Sequence, residues 1–357
     1  MASGQTLPPS AEAYHAAQRA EIDRALQAVG RQWRKVRPED VLASWEDVRP
    51  GVLAILYVAQ GRISRPVGQY VSTVLREQGL DRLNDTIADV TAAPLVGFAG
   101  DGRSLGGLVD QAPRKVLDIV ARADGPGPRI AWETAERWLN LAASTALSDT
   151  ARQTEALHTA VRPGVDGYVR MLNPPSCSRC AILAGRFYKK NQGFLRHPGC
   201  DCRHIPASEA TAGDLRLDPV EYFASLPTAA ELAEQYPDLK VHERRERGLI
   251  SQEDVFTRDG AVVIRAGADP GAVVNARRGM NTAQQNLRGW TPKGRLAPVE
   301  RFGQQVYLTS ESTTARGAAS RKLTGRRGDR LMPESIVRIA EDEADLLRLL
   351  KLHGYLK

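Results

Sequence analysis

The feature that most constrains this chain is the stretch 177–204, CSRCAILAGRFYKKNQGFLRHPGCDCRH. All four cysteines lie inside it, Cys177, Cys180, Cys200 and Cys202, together with His197 and His204. A CxxC turn lets two thiolates converge on one ion, and a second pair brought back by a hairpin closes a tetrahedron. Zinc prefers sulfur, so the four cysteines are the first choice of ligands, with His197 or His204 replacing one of them as the second. If Cys200 and Cys202 sit on an extended strand, both point to one face, while Asp201, the single acid of the window, points to the other. That leaves no carboxylate base beside the ion and favours a structural site over a catalytic one. Two disulfides, a redox pair and unligated thiols are the alternatives. CxxC and CxC pairs serve more often as ligands than as bridges in a cytosolic product.

The order CxxC, an apolar stretch with glycine, then HPxCxC resembles the signature of phage head-morphogenesis proteins of the Mu F type, also called minor capsid proteins. The matching residues are Cys177, Cys180, Gly185, His197, Pro198, Cys200 and Cys202. The phrase GRFYKKNQGFLRHPGCDCRHIP and the tail RLMPESIVRIAEDEADLLRLLKLHGYL are similar to the actinobacteriophage branch, whose members are often labelled capsid maturation proteases. The motif covers about a tenth of the chain, by the span of the window in its 357 residues. The resemblance implies a role in procapsid assembly, with portal and capsid or scaffold proteins as partners. It also implies residence in the virion, at the capsid interior or portal, after assembly in the host cytoplasm. Roles in genome packaging or ejection, and a head-processing enzyme as the alternative, come with the same resemblance.

A chain of 357 residues can bury more than one core. Its hydrophobic content of 42% and charged content of 25% describe a globular protein. The opening MASGQTLPPSAEAYHAAQ has no basic region followed by an apolar one, and no window reaches the length of a membrane span. The expectation is a product without membrane contact, made in the host cytoplasm or packed into a particle there. Net charge is +7, which favours polyanionic surfaces without identifying one.

Hydrophobic periodicity predicts a mainly α chain with a small α+β metal-stapled module. Residues 1–12 read as a flexible N-terminus and 13–162 as a helical domain. Within it, Ile22, Leu26, Val29, Trp33 and Val36 recur at helical steps. The stretch 39–80 reads as two helices broken at Gly61 and Pro66, and 85–95 as a short apolar segment. A long helix over about 129–160 carries Trp138, Leu139, Ala142, Ala146 and Leu157 on one stripe. The glycine run from Gly97 to Leu108 has neither the lysine of a P-loop nor a strand–helix setting, and reads as a loop. Residues 163–215 form the metal-binding module. Val165, Tyr168 and Met171 suggest a strand into the knuckle, and Phe187 and Tyr188 a return strand. A module this small has little core, so the ion would supply about 10 kcal/mol of its stability. Residues 216–287 read as short helices, with Gly267 capping one and Asp269-Pro270 starting the next.

Residues 288–330 form a basic irregular segment. Its end, TTARGAASRKLTGRRGDR, carries Arg316, Arg321, Lys322, Arg326, Arg327 and Arg330 against one acid, Asp329. This cluster is the candidate for contact with DNA or RNA phosphates, such as those of packaged DNA; a solvated linker is the competing reading. Residues 331–357 read as two C-terminal helices.

No catalytic constellation stands out. A cysteine protease would use a thiol better explained as a ligand, and a serine protease would need His15, His158, His242 or His353 in a recognisable motif. No HExxH helix occurs. Glu341 and Glu343 form an ExE, found in ADP-ribosyltransferases, yet they sit at an acidic helix start. His197-Pro198 is a faint echo of an HNH nuclease.

Overall fold

A computed structural model describes residues 7–122, 127–172, 176–192, 202–215, 217–277, 299–301, 303–309 and 330–356. The chain is mainly helical, with few strands. It divides into two compact units: Gln5–Asn173 with Ala184–Arg216, and Pro174–Leu183 with Leu217–Lys357 and Met1–Gly4. The division does not follow the segments read from the sequence. The three-stranded sheet shares a core with the N-terminal helices, and the CxxC turn groups with the C-terminal helices.

The first unit begins with α1 (Pro9–Trp33), α2 (Val41–Ser64) and α3 (Val67–Glu77). Helix α1 starts four residues earlier than the periodicity suggests, because Pro9 opens its first turn, where no amide donor is needed. Gly61 lies inside α2, and the break falls at Pro66. Two short helices follow, α4 (Leu105–Val109) and α5 (Gln111–Val120), and then α6 (Pro128–Ala160), whose 33 residues span about 50 Å. The glycine run makes a turn closed by a Phe98–Ser104 bridge, and Gln60 of α2 clamps it from Gly97 N and Phe98 O, both at 2.8 Å.

Two cores stabilise this unit. One gathers Val29, Trp33, Trp45, Leu56, Leu105, Leu139 and Leu147, with the Trp33 ring edge-on to Trp45 at 6.0 Å. The other joins Tyr14 of α1 and Val67, Tyr70, Val71 and Leu75 of α3 to the sheet residues Val169, Met171, Ile205 and Ala207. Strands β1 (Gly167–Met171), β2 (Phe187–Lys189) and β3 (Arg203–Ala207) are antiparallel in the order β2-β1-β3, with Val169 opposite Phe187 and Ile205.

The second unit contains α7 (Ser178–Ala181), α8 (Pro219–Ser225), α9 (Ala229–Gln235), α10 (Val241–Glu246), α11 (Gln252–Phe256), α12 (Arg258–Arg265) and α13, residues 270–277. Thr228 with Glu231, and Ser251 with Asp254, form capping boxes that start α9 and α11. Two hairpins follow, β4 (Val299–Arg301) with β5 (Gln304–Val306), and β6 (Leu308–Thr309) with β7 (Arg330–Leu331). Neither was expected, since β4, β5, β6 and Arg330 lie in the segment read as irregular. Helices α14 (Pro333–Ile339) and α15 (Glu343–Leu352) close the chain.

Thr257 joins α11 to α12 at φ +69° and ψ 163°, a conformation that a β-branched residue rarely adopts. Its hydroxyl accepts from Gly260 N at 3.4 Å and from Arg277 at 2.8 Å, which offsets the strain. Thr257→Ala keeps the strain and loses both bonds, so its stability should fall by about 1–2 kcal/mol. Thr257→Gly relieves the strain and should unfold closer to the wild-type denaturant midpoint. A glycine variant weaker than the alanine one would show that the backbone is not strained.

Candidate metal centre

Cys177 precedes the single turn of α7 and Cys180 lies within it, so both side chains leave the same short turn. Their sulfurs are 3.4 Å apart. That is well beyond the bonded distance of about 2.05 Å in a disulfide, and near the separation of about 3.8 Å that two thiolates share on a tetrahedral zinc. Cys180 is 3% exposed. Close by in the same unit, Tyr222 is buried and its hydroxyl has no hydrogen-bond partner among the described residues. Burial, and then the charges of Cys180 and Cys177, push the Tyr222 pKa up to about 12. A thiol pair of this spacing, Cys180 buried and Cys177 half-buried, suits a soft divalent ion.

In the other unit, Cys202 immediately precedes β3 and His204 lies on it; both are buried. Strand β3 has one open edge, because β1 pairs with its other side. Alternate carbonyls point to the same edge, and three of them are taken by helix side chains. Arg152 Nε of α6 donates to Cys202 O at 2.8 Å, Tyr70 Oη of α3 to His204 O at 2.9 Å, and Gln78 Nε2 to Pro206 O at 2.8 Å. Side chains of the helices thus do what a fourth strand would do, and they hold the backbone of the CxCxH end in register.

Arg152 also donates to Asp149 at 2.9 Å. Beside it Glu155 is fully buried, with Oε2 3.8 Å from Nδ1 of His204. The His204 ring stacks on Tyr168 at 4.1 Å, and Tyr14 stacks on Tyr70 at 4.0 Å. Arg203, fully buried, belongs to the same cluster. Burial raises the Glu155 carboxyl to about 7, a rise that Arg203 and Arg152 moderate. Burial likewise raises Tyr14 and Tyr70 well above the usual phenol and drives His15 well below the usual imidazole.

Between pH 4.5 and 7 the folded chain therefore holds a proton on Glu155 that the unfolded chain has released. This group's contribution to stability falls as pH rises through that window, by about 3 kcal/mol in all. Glu155→Gln removes the titration. Its stability relative to wild type should rise by about that amount between pH 5 and pH 8 in parallel denaturation curves. A difference independent of pH would show that Glu155 stays ionised.

The other residues singled out in the sequence are distributed as follows. His197, Cys200 and Asp201 lie outside the described residues, as do Arg316, Arg321, Lys322, Arg326 and Arg327. Arg330 is described, and it is 3% exposed. Its guanidinium lies 4.2 Å over the Tyr355 ring and donates to His353 O and Ala272 O, so it is committed to the protein interior rather than offered to a phosphate. His15 is buried, His158 half-buried against Gly68, and His242 exposed. His353 accepts from Leu331 N, and burial with Arg330 pushes its pKa down to about 4. Glu341 and Glu343 flank Asp342, which caps α15 through a 2.7 Å bond from Asp345 N. The ExE is thus a helix start.

Among the described residues no group of three or more His, Cys, Asp and Glu side chains is placed to hold a metal ion. Cys177 and Cys180 belong to one unit, Cys202 and His204 to the other. Arg152, Glu155 and Tyr70 were not anticipated as partners of this strand, nor was the burial of Arg203 on it. The available signal was a pair of charged residues, Arg152 and Glu155, on the buried stripe of α6 beside Leu147 and Ala151. No protein-family model, curated protein or solved structure matches the chain.

Proposed function

We propose that this chain is a phage minor capsid protein of the Mu F type, acting in head assembly with portal and capsid proteins and carrying a structural zinc. The observation that carries the reading is the spacing of Cys177, Cys180, His197, Pro198, Cys200 and Cys202, the one pattern specific enough to separate this family from other helical proteins. The 3.4 Å separation of Cys177 and Cys180 sulfurs supports the ion. The remaining ligands come from Cys200 and Cys202, with His197 or His204 as the substitute. Bound zinc would supply cross-linking and no reaction. The mainly helical fold is consistent with a component that docks through helix faces. No helix among the described residues is long and apolar enough to cross a membrane. The five basic residues between Arg316 and Arg327 remain the candidates for contact with packaged DNA.

Coexpression with the coat and portal proteins of the same phage tests the reading. Closed shells carrying this chain should form with wild type, His158→Ala and His242→Ala, and fail with Cys177→Ala. Shells that form normally but keep uncleaved coat in a histidine variant would favour a processing enzyme. Shells indifferent to the chain would rule out an assembly role.

A further inference from the structure

We propose that the outer groove between α1 and α2 docks an acidic amphipathic helix of a partner protein. The groove encloses about 410 Å³. Ala25 and Ala28 of α1 and Ala54, Ile55, Val58 and Ala59 of α2 form its apolar floor, with Val58 52% exposed. Short side chains along this seam leave room for a third helix to lie against both, the geometry in which helix-in-groove recognition works.

The walls are cationic. Arg24 and Arg31 stand seven residues apart on α1, two turns or about 10.5 Å along one edge, and Arg62 lines the α2 side. Glu21 is the one carboxylate in the lining, and it is shared by Arg24 and Arg62. Arg31 has no ion-pair partner among the described residues. Three guanidiniums against one carboxylate leave two positive charges beside an apolar strip. The complement is a helix with aliphatic residues at i, i+3 or i+4 and i+7, and with Asp or Glu seven residues apart on one flank to meet Arg24 and Arg31. A phosphate backbone would satisfy the arginines and leave the floor uncovered, and the lining has no aromatic ring for a base to stack on. A symmetric pairing of two copies would set arginine against arginine.

The inference does not depend on the head-assembly reading or on zinc, because every residue of the groove lies in the N-terminal helices. The probe is a fluorescein-labelled synthetic helix of about 20 residues, leucine on one face and glutamate at seven-residue spacing on the flanks, added to the full chain. A second peptide carries lysine in place of glutamate. The acidic peptide should bind, more weakly as salt rises, and the lysine peptide should not. Arg24→Glu with Arg31→Glu should weaken the acidic peptide by about tenfold or more and create binding of the lysine peptide. Val58→Asp should weaken the acidic peptide without changing the thermal melt. No binding of the acidic peptide at about millimolar concentration, or binding that survives the double reversal, would overturn the proposal. So would duplex DNA that displaces the peptide and is lost with the same reversal, or a self-association abolished by Val58→Asp.

Discussion

If the chain carries the proposed zinc, Cys177→Ser is expected to release it and lose about 10 kcal/mol of apparent stability, enough to leave the cysteine-bearing segments unfolded in otherwise native buffer. The size follows from the ligand chemistry. Thiolates give most of the binding free energy to the ion, and an unfolded chain has no preformed site, so that energy counts as folding energy. Serine is nearly isosteric with cysteine, and Cys177 is only half-buried, so packing loss alone would cost far less. Chelation of the wild-type protein should reproduce the variant, and circular dichroism with limited proteolysis should read both. A variant as resistant to protease as wild type would remove the ion from the account.

Arg152→Met is expected to cost about 3–5 kcal/mol, since it breaks a buried charged network by removing one partner. The arginine holds three things at once: the carbonyl of Cys202, the carboxylate of Asp149 and part of the charge that moderates Glu155. Methionine keeps much of the volume and supplies none of these. Because the first bond fixes the backbone carrying Cys202, zinc affinity should also fall by about 10–100-fold, the range seen when an outer partner of a ligand is removed. Arg152→Lys should recover part of the stability and little of the orientation, because an ammonium lacks the planar fork. Denaturant midpoints and competition with a colorimetric zinc chelator separate the two effects. Loss of stability with unchanged zinc affinity would make Arg152 a core residue only.

Much of the helical layout was legible in the sequence because its signals are local. The length of α6, the proline at the break before α3, and the starts of α14 and α15 follow from periodicity and from residues that open or stop helices. Of the stripe read on α6, Leu139 and Ala146 are buried, Trp138 and Ala142 partly so, and Leu157 is 41% exposed. The strand into the knuckle and its return at Phe187 and Tyr188 were expected from apolar residues, although Val165, Tyr168 and Met171 stand three apart and Val165 lies outside β1. The hidden part is non-local. Nothing in the neighbourhood of Arg152 says that its partner is a carbonyl fifty residues away, and nothing near Tyr70 announces His204 O. Arg330 misled for the complementary reason: a run of basic residues looks uniformly solvated, yet a ring at Tyr355 and two carbonyls draw its last member inward. The α1–α2 groove was equally silent, since alanines spaced along two helices read as ordinary helix formers until the helices are set side by side.

Elemental analysis of the purified chain tests the proposed zinc centre most directly. One zinc per chain in a colourless protein, absent from Cys177→Ser, is the result expected. A folded chain that carries no metal, with its thiols either all reactive or joined as disulfides, would contradict it.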